Sequence, residues 1–431
     1  MNTSIPASFP STLLDRYISA VFAPKCDVML QVELIFDQRL DLDILRKALD
    51  LALDAEPVLG CRFLVEDGRA VWKRVPSGER SNFEQFSREE DYDRCIKETL
   101  DSSIGPALKG AVLTGPAGDR LLLKVAHEAA DAGGAKDVAY LVASLYRKLK
   151  NDPFYLPAPN ISGSRDLDQV MKHVPAAALP RIWFNGLREL FSLMMPRGSY
   201  SPFSAPVSDC SREYVLRVIP PERMAAVREF CNERNAKIND VMLAAFLRAL
   251  SRTGWDGKAP LRCAMSVDLR KWYIPGGTAE AIANISGLEF LNVGVDPGNS
   301  LSETLGKVTS FTASRKRSWI GLNAHAGLGK LFARFRYDTL HSVFMRLQRA
   351  DIKAGAVFPI VTNLGPLDHT RLDFESSPID ARIMVPAAYP PFFGIGISGY
   401  RDSLTVSAAA FPETRRKVNE ILDSMLDELP G

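Results

Sequence analysis

The residues best placed for chemistry lie between Leu121 and Gly134. The run Leu121-Leu122-Leu123-Lys124-Val125-Ala126 reads as a buried strand. His127 stands at its end, Asp131 follows four residues on, and Gly133 and Gly134 come next. From Ala135 to Lys150 the apolar residues Val138, Leu141, Val142, Leu145 and Leu149 recur at helical spacing. A histidine at a strand end, an aspartate able to fix its geometry and glycines that admit a ligand make a general-base site. The glycines could serve by close approach or by a positive φ. A bare His-x-x-x-Asp carries little weight; the strand before it and the diglycine and helix after it supply the rest. A histidine that merely caps a strand is the alternative.

The elements that must hold this segment follow from pattern. Val28 to Leu34 reads as a strand and Leu40 to Leu49 as a helix, with Asp41 or Asp43 in its first turn, where negative charge suits the dipole. Ala70–Trp72 and Ala111–Thr114 are strands, and Arg88 to Leu100 a helix. Proline-rich loops span 151–165 and 196–209. Between them, Leu179 to Met195 is a strongly apolar helix, packed at the junction of two halves or lining an acyl chain or touching a membrane. The second half repeats the logic: strands at Tyr214–Ile219, Leu261–Val267 and Ser403–Ala409, and helices at Pro221–Asn235, Ile238–Leu250, Leu301–Ser310, Leu331–Arg349 and Glu413–Leu429. The helix from Leu331 is amphipathic and basic (Arg334, Arg336, Arg346, Arg349), with Arg315 and Arg317 upstream. Such a face is solvated or drawn to acidic lipid or a carrier protein.

A chain of 431 residues suggests two domains, taken as 1–198 and 199–431. Hydrophobic content of 46% and charged content of 24% are ordinary for a globular protein. A net charge of +2 gives no basic footprint, so nucleic-acid binding is not expected. Six scattered cysteines offer no Cys-x-x-Cys and no metal-ligand spacing; reduced thiols, a cytoplasmic location and no metal are expected. The N-terminus lacks a signal-peptide pattern, and no apolar stretch approaches the ~20 residues that span a bilayer.

The segment around His127 resembles the His-His-x-x-x-Asp-Gly motif of the chloramphenicol acetyltransferase-like superfamily, which includes condensation domains, plant BAHD acyltransferases, wax ester synthases and polyketide-associated acyltransferases. His127 takes the place of the second histidine and Asp131 that of the aspartate. Ala126 stands where many members carry the first histidine, as BAHD enzymes also lack it, and Ala132 where the glycine is expected. Further likenesses follow in order. Glu56 to Phe63 resembles the "His-Pro-x-Leu-Arg" turn, and Ile238-Asn239-Asp240-Val241 the "Thr-Val-Asn-Asp-Val" helix opening. Ser266-Val267-Asp268-Leu269-Arg270 resembles "Pro-Val-Asp-Leu-Arg", and Thr362-Asn363-Leu364-Gly365 resembles "Ser-Asn-Leu-Gly". Phe392-Phe393-Gly394-Ile395-Gly396 occupies the region of BAHD's Asp-Phe-Gly-Trp-Gly without matching it.

The resemblance implies an α/β fold of two similar subdomains in a V-shaped pseudo-dimer around a central tunnel. It implies an acyltransferase in which His127 is the base and Asp131 is structural, salt-bridged to Arg270. Gly133, Gly134 and Asn363 are candidate substrate contacts, Asn363 being also readable as a turn residue. The co-substrate would be acyl-coenzyme A or a phosphopantetheine thioester, with no bound cofactor. The partners would be a small-molecule acceptor and an acyl- or peptidyl-carrier protein in trans, with peripheral membrane contact through the apolar or basic helices. A stand-alone condensation enzyme forming an amide, or a non-catalytic descendant that binds lipid or a partner, are the other readings.

Overall fold

The computed structural model describes residues 4–23, 25–194, 198–323, 325, 329 and 335–431, the side chains of 190–194 excepted. Its strands in chain order are β1 Ser8–Pro10, β2 Met29–Ile35, β3 Cys61–Glu66, β4 Arg69–Arg74, β5 Phe83–Phe86, β6 Leu108–Gly115, β7 Gly118–Ala126, β8 Glu213–Ile219, β9 Leu261–Asp268, β10 Ser286–Gly294, β11 Ile360–Leu367, β12 Asp380–Met384, β13 Gly394–Tyr400 and β14 Ser403–Ala410. The helices are α1 Leu13–Tyr17, α2 Leu42–Ala55, α3 Glu89–Lys97, α4 Ala132–Asn151, α5 Asp168–Met171, α6 Leu179–Met194, α7 Pro221–Glu233, α8 Ile238–Arg252, α9 Leu269–Tyr273, α10 Leu301–Lys316, α11 Tyr337–Lys353 and α12 Arg415–Asp427. Of the basic helix read from Leu331, residues 331–334 lie outside the described residues.

The strands form a five-stranded sheet in the order β12-β2-β7-β6-β5, a six-stranded sheet β10-β9-β11-β13-β14-β8 and a small sheet β1-β4-β3. β7 lies in the middle of the first sheet, antiparallel to β2 and β6, and Leu121 to Ala126 are buried on both faces, Lys124 included. That is why its apolar run is continuous and not alternating. The Lys124 ammonium is taken by the carbonyls of Cys95 and, at 2.7 Å, Glu98, the end of α3, where a helix leaves its carbonyls free.

α2 starts on Asp41, whose carboxylate accepts from the Ile44 N–H at 3.2 Å. Its Leu45, Leu49 and Leu53 pack with Val138, Val142, Leu145 and Leu149 of α4 over the first sheet. Burying each such side chain stabilises the fold by about 1.5–3 kcal/mol. In the second core α8 is buried from Val241 to Leu250. Even Arg248 is buried there, bonded to Glu428 at 2.6 Å and to the Gly298 carbonyl at 2.9 Å.

The chain crosses between the sheets late. β12 pairs with β2 (Ile383 opposite Val32), and β13 then returns to the six-stranded sheet. Leu364, Leu367, Leu372 and Phe374 likewise pack into the first core. The strand β10 was not anticipated from the pattern, because each of its faces mixes apolar residues with a polar one, the buried Glu289 on one and Asn292 on the other. Leu291 and Val293 face the core, while Leu288 and Phe290 line a cavity, so alternation is hidden. Among the described residues no helix is long and apolar enough to cross a membrane, and no group of His, Cys, Asp and Glu is arranged to hold a metal.

Candidate active site

β7 ends at Ala126, and the backbone N–H of His127 still donates to the Val28 carbonyl at 2.8 Å, so the histidine leaves the sheet at a fixed point. A tight turn follows, closed by the Ala129 and Ala130 N–H groups on the Ala126 carbonyl. Within it the Nδ1 of His127 lies 3.0 Å from the Ala130 carbonyl oxygen. A carbonyl only accepts, so Nδ1 carries the proton and Nε2 keeps its lone pair. Burial lowers the pKa of His127 below its usual value, against the opposing pull of the Ala130 bond and the Asp131 charge. The ring is held neutral and in one tautomer.

Asp131 makes no hydrogen bond to His127. It caps α4, its Oδ1 accepting from the Gly134 N–H at 2.9 Å. Its Oδ2 accepts from Arg270 Nη1 at 2.9 Å, the Ile285 N–H at 2.7 Å and the Ser286 hydroxyl at 2.7 Å. Burial alone would raise the Asp131 pKa, but Arg270 and these bonds overcome it and bring it down to about 2. Arg270, equally buried, also donates to the Ala283 carbonyl at 2.7 Å and to Asp268 at 3.3 Å. The aspartate thus orients the turn and the helix, and the Ala130 carbonyl orients the imidazole.

Gly133 and Gly134 lie in the first turn of α4, and neither has a positive φ. Space is what demands glycine. A Cβ on Gly133 would stand 2.7 Å from Arg270 Nη1, and one on Gly134 would stand 2.9 Å from the Ala130 Cβ and 3.1 Å from the Ala283 carbonyl oxygen. Asn363 sits where the pairing of β11 with β13 slips by one residue. Its Oδ1 accepts from the N–H of Gly365 (φ +70°) at 2.9 Å, and its Nδ2 donates to Asn239 at 3.0 Å.

Two cavities meet at His127. The larger, about 480 Å³, is walled by aromatic side chains, among them Tyr17, Phe290, Phe311, Phe344, Phe358 and Phe393. The smaller, about 110 Å³, is lined by Asp131, Gly133, Ser286, His325 and Asn363. Arg315, read as part of a basic face, is instead an inner wall group paired with Glu189 and Glu289.

Pattern reading missed Asn284, whose Nδ2 donates to the carbonyls of both His127 and Glu128 at 2.8 Å. It also missed Ser286 and His325, the last bonded through Nε2 to the Ser286 carbonyl at 2.9 Å. No periodicity marks them, since they act through contacts over 39 to 157 residues of chain.

No protein-family model matches the chain, and no curated protein does. Solved structures match along its whole length. Polyketide synthase associated protein 5 from Mycobacterium tuberculosis is 13% identical with a TM-score of 0.66, covering 96% of each chain. The first condensation domain of the calcium-dependent antibiotic synthetase is 18% identical with a TM-score of 0.66, covering 100% of this chain and 98% of its own. Trichothecene 15-O-acetyltransferase from Fusarium sporotrichioides is 13% identical, again at 0.66, covering 98% and 96%. These are structures of the chloramphenicol acetyltransferase-like superfamily, and the mixed α/β chain described here has that fold.

Proposed function

We propose that the chain is an acyltransferase that moves an acyl group from a thioester to a hydroxyl or amine, with His127 as general base. The observation that carries the reading is the bond from Nδ1 to the Ala130 carbonyl, which leaves the Nε2 lone pair of a neutral imidazole at the meeting of two cavities. In the step, Nε2 takes the proton from the acceptor as its oxygen or nitrogen attacks the thioester carbonyl. The C–S bond then breaks, and the imidazolium returns the proton to the departing thiolate. A base so placed accounts for roughly 10²–10⁴-fold, with positioning in the cavities adding to it. Donor and acceptor would reach His127 through the two cavities, as in a tunnel between halves 1–198 and 199–431 arranged as a V. The donor is acyl-coenzyme A or a carrier-bound thioester, and the named activities of the matching structures, a condensation domain and an acetyltransferase, support the class.

The test is product formation, read by mass spectrometry, from a panel of acyl-coenzyme A and carrier thioesters with a cell extract as acceptor source. Acyl transfer that survives His127→Ala at the wild-type rate removes the base assignment. A panel that yields no acylated product with the wild type removes the activity.

A further inference from the structure

The larger cavity is lined with apolar and aromatic groups, yet it carries charges. Arg315 is held between Glu189 and Glu289, and Arg262 is engaged as well. Lys25 and Asp351 differ. Both line this cavity, and each feels the other's charge, but among the described residues neither side chain has a hydrogen-bond or ion-pair partner. The backbone of Lys25 is held at both ends: its N–H donates to the Phe22 carbonyl and its own carbonyl accepts from the Tyr389 N–H, both at 2.7 Å. Its ammonium stands over the Phe392 ring, 5.3 Å from the centroid.

Both groups are held at a cost. Burial lowers the Lys25 pKa and raises that of Asp351, so each charged form is disfavoured where it stands. Asp351 also lies in the last turn of α11, at the negative end of the helix dipole, where a cation is the favoured residue. Partly buried charges without hydrogen bonds, lining one cavity without pairing, are poor elements of stability. They suit a ligand that completes both.

We propose that Lys25 and Asp351 together recognise a dipolar group of the substrate, a hydrogen-bond acceptor and an N–H donor on the opposite edges of a secondary amide, carried between apolar or aromatic portions. This rests on the acyl-transfer reading for the word substrate, and names its chemical class. The amide carbonyl accepts from Lys25 and the amide N–H donates to Asp351. A carboxylate would meet the repulsion of Asp351, an ammonium that of Lys25, and an ester would leave Asp351 without a donor.

The test is calorimetric binding of N-butylbenzamide, butyl benzoate and benzoate to the full chain, without thioester, so that it stands or falls apart from turnover. N-butylbenzamide should bind about tenfold or more tightly than butyl benzoate, since only the amide satisfies the carboxylate. Asp351→Leu should erase that ratio, and Lys25→Met should weaken both neutral ligands. The inference is overturned if the wild type binds amide and ester alike, a comparison that needs no variant. It is equally overturned if the amide preference survives Asp351→Leu, or if benzoate binds more tightly than the amide, which would make Lys25 a plain anion site.

Discussion

At His127 the physical question is which group holds the ring. The Ala130 carbonyl does so at 3.0 Å, while Asp131 is fully occupied by other donors. His127→Ala should therefore reduce acyl transfer by roughly 10²–10⁴-fold with the melting temperature nearly unchanged; a variant of near-normal turnover would defeat the assignment. Because burial lowers the His127 pKa, the base stays unprotonated to pH values below the ordinary imidazole range. The acid limb of kcat/KM should fall below pH ~6.5, and a limb above that value would count against a buried base. His325 gives a stability test with a definite sign. Its folded pKa is pushed down to about 4 by burial, so on acidification the unfolded chain takes up the proton first. Stability is lost from about pH 6.5 down to about 4, then levels off. Urea unfolding at neutral and at mildly acidic pH should show His325→Phe escaping about 2–3 kcal/mol of that loss. Equal acid sensitivity in the two proteins would rule it out.

At the scale of elements, α4 begins on a carboxylate that also ties it to α9 and to the start of β10. Removing one partner of the Asp131–Arg270 pair leaves a buried charge alone, which costs about 3–5 kcal/mol. Asp131→Ala and Arg270→Ala should each lose that much in denaturant unfolding, and the double variant should lose less than the sum. Strict additivity would mean the pair does not interact. Gly133→Ala tests the spatial argument at the same joint. Its methyl would press on Arg270 Nη1, and overpacking of this kind costs about 1–3 kcal/mol. A variant as stable as the wild type would show that the guanidinium yields freely.

The whole molecule is held together by the late crossing of the chain. β2 is an inner strand only because β12, some 345 residues further on, covers its edge. Residues 1–198 expressed alone should thus expose an apolar strand edge and fail to give a cooperatively folded monomer. Thermal unfolding followed by circular dichroism, with sizing chromatography, decides the matter. A monomeric fragment with a sharp transition would show that the first sheet closes without β12.

Much of this molecule was decided locally and could be read as such. The buried run into His127 and the helical apolar spacing of α4 are short-range patterns, as are the acidic start of α2 and the proline that opens α7, whereas the capping of α4 by Asp131 came from the structure. The ordered likenesses along the chain pointed to the superfamily whose fold it has. Only tertiary structure settled what each charged group meets. Arg270 reaches Asp131 across 139 residues, Asn284 reaches the His127 carbonyl across 157, and Arg315 turns inward to Glu189 and Glu289. It also gave β10 its register, because a strand with one face on a core and the other on an apolar cavity shows no alternation to read. The reason is the same in each case: periodicity records which side of an element is dry, and carries no information about which distant donor or carbonyl will stand opposite it.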